Sequence, residues 1–401
     1  MDQQSMHTPN QCEQGREVMI VAGEASGDLH GANLVRAMRV RDNSLRFCGM
    51  GGRELQQAGV ELLYDAATLA VVGAVEVLSH LGDILRARRA LIERMRSHRP
   101  ALLILIDYPD FNLLLAKKAK QMGIPVFYYI SPQVWAWRSG RVKTIKRLTD
   151  RVAVILPFEQ SFYARHGVDV DFVGHPLMDS VKPSLDPAAF RTLLQIAPTR
   201  KLVGLLPGSR RKEVAALLPD FLAAAGLLAR DRPQDYTFLV PQAPTIARSL
   251  LEEHGLAAWK NRLDIRVITE DRYAMMAACD AVVAASGTVI LELAILGTPT
   301  VATYRTSRHT YWLGRLLIRN LRFFSLVNLI GEREIIPELL QDAANPVQIA
   351  KALQVMLEDE QARATILEGL DEVRQRLGGP GASERAAAIA LGVLGIGAHH
   401  G

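Results

Sequence analysis

The chain has few groups for cross-linking and few rings. Its three cysteines, Cys12, Cys48 and Cys279, stand far apart in 401 residues. Their spacing fits neither a zinc site nor a disulfide framework, so free thiols in a reducing compartment are expected. Aromatic residues make up 6% of the chain and are not interleaved with its basic residues. No nucleic-acid motif appears, and no nucleic-acid partner is expected. No apolar run reaches the length of a membrane span. The segment 386–398 is apolar but too short, and is expected to pack as a terminal helix. The first seventeen residues are polar and hold no apolar h-region, so no signal peptide is expected. These absences point to a cytoplasmic protein, with a seat on a membrane surface still open.

What is there suits a folded α/β protein. Hydrophobic residues make up 49% of the chain. Its length exceeds one ordinary core, and two domains are expected. The formal charge of +5 and isoelectric point near 9.1 call for an anionic partner without naming it.

Strand-like runs alternate with helical patterns, the mark of parallel sheets with crossover helices. The first series is Val18–Ala22, Leu102–Ile106, Val126–Ile130, Val152–Leu156 and a short run at Phe172-Val173. A stretch rich in proline and turn formers, 174–187, reads as a linker. The second series is Leu202–Leu206, Tyr236–Val240, Ile265–Ile268, Ala281–Ala284 and Thr300–Ala302. From Pro346 on the pattern is helical only. The expected organisation is a polar extension over 1–16, a doubly wound domain over 17–185, a second over 186–345, and helices over 346–401 packing back toward the first. Exchange of that tail with a second copy, in a homodimer, is the other option. The two doubly wound domains are expected to face each other across a cleft, with ligand at the C-terminal ends of the strands.

Two stretches carry the clearest chemistry. In Leu202-Val-Gly-Leu-Leu-Pro-Gly-Ser-Arg210 and Ala285-Ser-Gly-Thr-Val-Ile-Leu-Glu292 a buried strand ends in a small-residue turn and opens a helix. Such turns present backbone N–H groups to an anion. Gly208, Ser209, Ser286, Gly287 and Thr288 build the turns, and Arg210 adds a fixed positive charge. Glu292 falls one helical turn beyond Thr288 on the same face. A diphosphate needs the amides and the guanidinium; a ribose needs a carboxylate that accepts from two hydroxyls. Together they predict a nucleotide-diphosphate site.

Three loops of the first half end strands in the same way. Gly23-Glu-Ala-Ser-Gly-Asp28 is not Gly-x-Gly-x-x-Gly, so a dinucleotide site is not indicated. Ser26 or Asp28 is expected to cap the helix that follows, while Glu24 beside them is a site candidate. In Asp107-Tyr-Pro-Asp-Phe-Asn112, Pro109 fixes the turn so that Asp107 and Asp110 can point differently. Capping is expected of Asp110 and catalysis of Asp107. In Ser131-Pro-Gln-Val-Trp-Ala-Trp-Arg138 the two tryptophans can either bind a sugar or anchor the loop. Asp169-Val-Asp171 has the spacing of an acidic metal pair but alternates into a strand, and is expected to be a solvated strand face. The stretch 65–85 is largely apolar, with Val71, Val72 and Leu78, and runs into Arg86, Arg88, Arg89, Arg94, Arg96 and Arg99. It is either an ordinary core helix with a charged face or a grip on an anionic bilayer.

These motifs together, in this order, resemble the lipid-A-disaccharide synthase family, inverting glycosyltransferases of the two-domain GT-B type. Gly174-His-Pro176 and Asn328-Leu-Ile330 complete the set, which covers nearly the whole chain from Val18. The resemblance implies condensation of UDP-2,3-diacylglucosamine with 2,3-diacylglucosamine 1-phosphate (lipid X). The products are a β-1,6-linked disaccharide 1-phosphate and UDP. It implies Asp107 as the base, with Glu24 and Ser26 as further catalytic positions, and Asn328 as a binding position. Arg210 and the amides near Ser209 and Gly287-Thr288 would hold the leaving UDP, and Glu292 the ribose. Backbone groups from Tyr273 to Met276 would hold the uracil. No cofactor and no divalent cation is expected. Both acylated substrates imply peripheral association with an anionic inner-membrane surface. Rival expectations are a UDP-N-acetylglucosamine 2-epimerase, a peptidoglycan glucosaminyltransferase, or a non-catalytic nucleotide-sensing membrane adaptor.

Overall fold

A computed structural model describes residues 16–66, 81–137, 139–306 and 322–395. The chain divides into two compact units, one of residues 1–176 with 381–401, the other of residues 177–380.

The first unit holds a seven-stranded sheet. Its elements run β1 (Glu17–Ala22), α1 (Ala25–Arg41), β2 (Arg46–Gly51), α2 (Arg53–Gln57), β3 (Glu61–Asp65), α3 (Leu81–His98), β4 (Leu102–Ile106), α4 (Pro109–Gln121), β5 (Val126–Tyr129), α5 (Val134–Trp137), α6 (Val142–Leu148), β6 (Arg151–Val154), α7 (Pro157–Arg165) and β7 (Asp171–Phe172). The strand order is β3-β2-β1-β4-β5-β6-β7, with every pair parallel. Side chains alternate across it. Met19, Val21, Leu103, Leu105 and Tyr128 face one layer with Leu91 and Met95 of α3 and Leu115 of α4. Val18, Ile20, Ile104, Ile106 and Phe127 face the other with Leu34 and Val35 of α1. Burial on both faces explains the unbroken apolar reading of β4, Leu-Leu-Ile-Leu-Ile.

The second unit runs α8 (Leu177–Ser180), α9 (Pro187–Leu193), β8 (Lys201–Leu206), α10 (Arg211–Leu228), β9 (Tyr236–Pro241), α11 (Arg248–Glu253), α12 (Leu256–Lys260), β10 (Ile265–Ile268), α13 (Arg272–Ala278), β11 (Ala281–Ala285), α14 (Thr288–Leu296), β12 (Thr300–Tyr304), α15 (Leu326–Gly331), β13 (Glu338–Leu340), α16 (Pro346–Glu358) and α17 (Glu360–Arg376). Its six-stranded sheet has the order β10-β9-β8-β11-β12-β13, again all parallel. The last helix, α18 (Ala382–Val393), belongs to the first unit. Its Ala386, Ala387 and Ala390 are fully buried in the layer that holds α1.

Both sheets are doubly wound, and the order reverses at β1/β4 in one and at β8/β11 in the other. Ligands of open α/β sheets bind beyond the carboxyl ends of the strands at such reversals. Four of the five loops singled out in the sequence follow β1, β4, β8 and β11. The topology thus brings Gly23–Asp28 beside Asp107–Asn112, and Leu206–Arg210 beside Ala285–Thr288.

Several details differ from the sequence expectation. Strands β2, β3 and β13 carry no strong sequence signal. Neither Ser26 nor Asp28 caps α1: Glu24 is its N-cap residue, without a side-chain bond. Asp28 is instead buried and reaches the next helix, accepting from the N–H groups of Gly52 at 2.7 Å, Glu54 at 2.9 Å and Leu55 at 3.1 Å. It satisfies the open donors of α2 from a distance. Asp28→Ala is expected to lower stability by about 2–4 kcal/mol, because it leaves three such donors without their charged acceptor; thermal unfolding checks this. Asp171 pairs with Arg151 across β6 and β7, at 2.7 Å, as a half-exposed strand pair. Among the described residues no group of three or more His, Cys, Asp or Glu is arranged to hold a metal ion. Cys48 and Cys279 are buried free thiols.

Candidate active site

In the first unit, Asp107 directly follows β4. It and Tyr108 both take left-handed backbone angles, with φ of 43° and 44°. Two consecutive non-glycine residues in that region are strained, and such strain clusters at functional sites. The turn is held by bonds from other elements. The Asp107 N–H donates to the Ile130 carbonyl at 3.2 Å. Its carbonyl accepts from the Tyr128 hydroxyl at 2.6 Å and the Asn112 amide at 2.7 Å. Pro109 then starts α4 at a position that needs no N–H partner. Glycine at 23 is required sterically, since a Cβ there would lie 2.5 Å from the Tyr108 ring.

The consequence is electrostatic. With the backbone clamped, the Asp107 side chain is largely removed from water. Burial, and then the nearby Glu24 carboxylate, push its pKa up to about 6. A carboxyl in that range is poised to accept a proton near neutrality. Glu24 and Ser26 lie exposed at the start of α1. Asp110 does not cap α4; its carboxylate pairs with Arg141. Trp135 packs edge-on against Phe158, with ring centroids 4.9 Å apart, which makes it a loop anchor. Ser131 is buried against the Tyr163 hydroxyl. His175 is buried near His30, and desolvation lowers its pKa to about 3, so the ring is neutral.

In the second unit the turn after β8 is already wrapped around an anion. Arg210 is the N-cap residue of α10. The N–H groups of Ser209 and Arg210 donate to Glu213 Oε2 at 3.2 and 3.3 Å, and the Arg210 guanidinium meets Glu213 Oε1 at 3.0 Å. The sequence suggested unpaired amides here; the structure has them paired with the chain's own carboxylate. The pairing shows that these donors converge on one negatively charged group. Gly208, at φ 106°, is needed because a side chain would strike Glu213. The Arg210 side chain is 70% exposed. After β11, the Ser286 N–H is given to the Thr303 carbonyl at 2.7 Å. Gly287 and Thr288 then open α14.

Glu292 sits one turn into α14, 4% exposed. Its Oε1 accepts from Arg272 at 2.8 Å and from the Tyr273 hydroxyl at 3.3 Å. Its Oε2 is buried and has no hydrogen-bond partner among the described residues. Burial raises its pKa while Arg272 opposes the rise. Met276 is buried, and its carbonyl accepts from the Thr298 hydroxyl at 3.0 Å. Asn328 is fully buried. Its amide nitrogen donates to Ile336 O at 2.9 Å and Glu338 Oε1 at 2.8 Å, and its oxygen accepts from Ile335 N at 2.8 Å and Ile336 N at 3.0 Å. All four hydrogen-bonding positions of the amide are thereby filled. Tyr128, Asn112, Glu213 and Arg272 hydrogen-bond to the candidate site residues, contacts the sequence did not disclose. Only Glu213 had a legible signal, an acid three residues after a helix start.

Two doubly wound sheets of this kind define the class of two-domain glycosyltransferases and their epimerase relatives. Along most of its length the chain is similar to UDP-GlcNAc 2-epimerase of Neisseria meningitidis, solved bound to UDP-GlcNAc, with TM-score 0.62 and 12% identity over 92% of this chain and 98% of that one. It is similar also to the calicheamicin glycosyltransferase CalG4, with TM-score 0.60 and 15% identity over 94% and 99%. At such identities the likeness concerns the fold. The sequence itself is closer to one family. Residues 18–393 match the family model described as lipid-A-disaccharide synthetase. The lipid-A-disaccharide synthase of Geobacter metallireducens is 47% identical over 95% of this chain and 98% of its own length. That of Geobacter sulfurreducens is 48% identical over 94% and 97%. The chain belongs to the lipid-A-disaccharide synthetase family and is a glycosyltransferase of lipid A disaccharide synthesis.

Proposed function

We propose that the enzyme joins UDP-2,3-diacylglucosamine to 2,3-diacylglucosamine 1-phosphate by a single inverting displacement. The acceptor 6-hydroxyl oxygen attacks the anomeric carbon, its proton passes to Asp107, and the bond to the diphosphate breaks with its electrons leaving on UDP. The observation that carries this reading is the half-buried, backbone-clamped Asp107 with its pKa of about 6, on the position where the family has its aspartate. Arg210 and the amides of Ser209, Gly287 and Thr288 stabilise the charge that develops on the departing diphosphate. Glu213 stands where that charge will be, so it moves aside when nucleotide binds. Glu292 takes the ribose. Asn328, with its amide committed internally, works by holding the segment around Ser325 and Ile336. The test is product formation, followed by mass spectrometry in EDTA, with UDP-N-acetylglucosamine as a second donor. Disaccharide 1-phosphate from the acylated donor alone is expected. Epimerised UDP-N-acetylglucosamine, or no disaccharide from folded protein, would count against the proposal.

A peripheral seat on an anionic inner-membrane surface belongs to the same proposal, since both substrates carry acyl chains. Val71, Val72 and Leu78 lie outside the described residues. The adjoining helix α3 buries Ala87, Leu91 and Met95 and turns Arg86, Arg89 and Arg96 outward, with Arg99 exposed just past its end, an amphipathic pattern. Arg94 is drawn off internally by Glu17 at 2.7 Å and Glu61 at 2.8 Å. Among the described residues no helix is long and apolar enough to cross a membrane. Changing Val71, Val72 and Leu78 together to serine is expected to weaken flotation with anionic vesicles several-fold while melting temperature holds. Unchanged flotation of the folded variant would return the segment to ordinary core or surface.

A further inference from the structure

The two oxygens of Glu292 are treated differently by the protein. Oε1 is claimed twice, by the Arg272 guanidinium at 2.8 Å and by the Tyr273 hydroxyl at 3.3 Å. Arg272 is itself fixed. The same guanidinium nitrogen donates to the Tyr273 oxygen at 2.8 Å, and the guanidinium lies over the Tyr273 ring, 4.7 Å from its centroid. Oε2 is buried without a partner among the described residues, and the Glu292 side chain is only 6% exposed. A buried carboxylate oxygen with nothing to accept from is costly. It persists here at the C-terminal side of β11, beside the first turn of α13, where the nucleoside is proposed to bind.

We propose that Arg272 is a positioning residue for nucleotide-sugar recognition: with Tyr273 it ties one oxygen of Glu292 and leaves the other as the acceptor for a ribose hydroxyl. This rests on the reading of Glu292 as the ribose residue and extends it to a residue outside the family motifs quoted above. Arg272 touches no nucleotide atom in this scheme. It fixes the rotamer of Glu292 and supplies a positive charge that favours the ionised carboxylate against the burial that raises its pKa. The selection it creates is for a sugar that can donate from its 2′ or 3′ hydroxyl, a ribonucleotide rather than a dideoxynucleotide.

The experiment measures binding of UDP and of 2′,3′-dideoxy-UDP by calorimetry to the parent enzyme, to Glu292→Gln, to Arg272→Met and to Arg272→Lys. The parent should prefer UDP by roughly tenfold to a hundredfold, the worth of a hydrogen bond to a charged acceptor. Glu292→Gln should erase most of that preference, because Arg272 will claim the amide oxygen and turn the NH2 group toward the sugar. Arg272→Met should erase it too while leaving dideoxy-UDP affinity within about twofold, and Arg272→Lys should fall between. A preference kept in Arg272→Met but lost in Glu292→Gln overturns the role of Arg272 and leaves the ribose reading standing. A preference kept in Glu292→Gln, or absent from the parent, overturns the ribose reading and the proposal with it. Equal loss of both ligands in the Arg272 variants would make the residue a direct nucleotide contact or a structural one, and also overturns the proposal.

Discussion

Asp107→Asn is expected to cut turnover by about a thousandfold or more, at the upper end of what a general base contributes, while UDP affinity stays within a few-fold. Asparagine keeps the size of the side chain. The clamps on Tyr128, Asn112 and Ile130 involve only the backbone of residue 107, so the turn survives. What is lost is the group that takes the acceptor proton. The pH dependence follows from the same residue. With a pKa of about 6 in the free enzyme, Asp107 is protonated and inactive as a base in more acidic solution, so kcat/KM should fall below pH 6 with an apparent pKa near that value. The effect on stability has the opposite sense. The folded state holds this proton more tightly than the unfolded chain, whose aspartates titrate near 4. Ionising Asp107 therefore costs stability above pH 6, about 3 kcal/mol for a shift of this size. The cost fades as pH falls through 6 toward 4. The inactive Asp107→Asn variant should melt higher than the parent at pH 7.5, with the difference closing at low pH. Full turnover by the variant would remove Asp107 from the chemistry.

The second large effect is at Arg210. Arg210→Ala should lower kcat/KM by about a hundredfold to a thousandfold, the range seen when one preorganised donor to a developing anion is removed. Its melting temperature should barely move. The Arg210–Glu213 pair is exposed on the arginine side, and exposed pairs of this kind contribute little to folding. Arg210→Lys keeps the charge but not the fork that can grip two oxygens, and should recover only part of the loss. Steady-state kinetics with both substrates check this, and a pure rise in donor KM without a fall in kcat would show binding without transition-state stabilisation.

What could be read from the sequence, and what could not, divides along a physical line. Buried parallel strands such as Leu102–Ile106 and Ala281–Ala285 are continuous apolar runs, and the turns that follow them are short and rich in glycine, proline and serine. Both kinds of signal are local, and so the four loops at the two order reversals were legible. Strand β2, Arg-Phe-Cys-Gly-Met-Gly, is broken by two glycines, and β13 is three residues long; neither has a pattern that a single window can recognise. The strain at Asp107 and Tyr108 was not legible, because the bonds that hold it come from Tyr128 on another strand and Ile130 just beyond it. Asp28 looked like a cap for its own helix. That it serves α2, 24 residues away in the chain, depends on β2 lying beside β1. The tie between Arg272 and Glu292 is likewise a product of how α13 packs on α14. The separation of Glu292 from Thr288 was readable from helical spacing alone, while its half-satisfied carboxylate was not.

The proposed chemistry is tested most directly by the configuration of the new glycosidic bond. The enzyme would be given α-configured UDP-2,3-diacylglucosamine and 2,3-diacylglucosamine 1-phosphate, and the anomeric coupling of the product read by NMR. A single displacement with Asp107 as base predicts a β-linked disaccharide, one UDP released for each, and product from Asp107→Asn slowed by about a thousandfold or more. An α-linked product, donor hydrolysis without transfer, or epimerisation at the neighbouring carbon would contradict it.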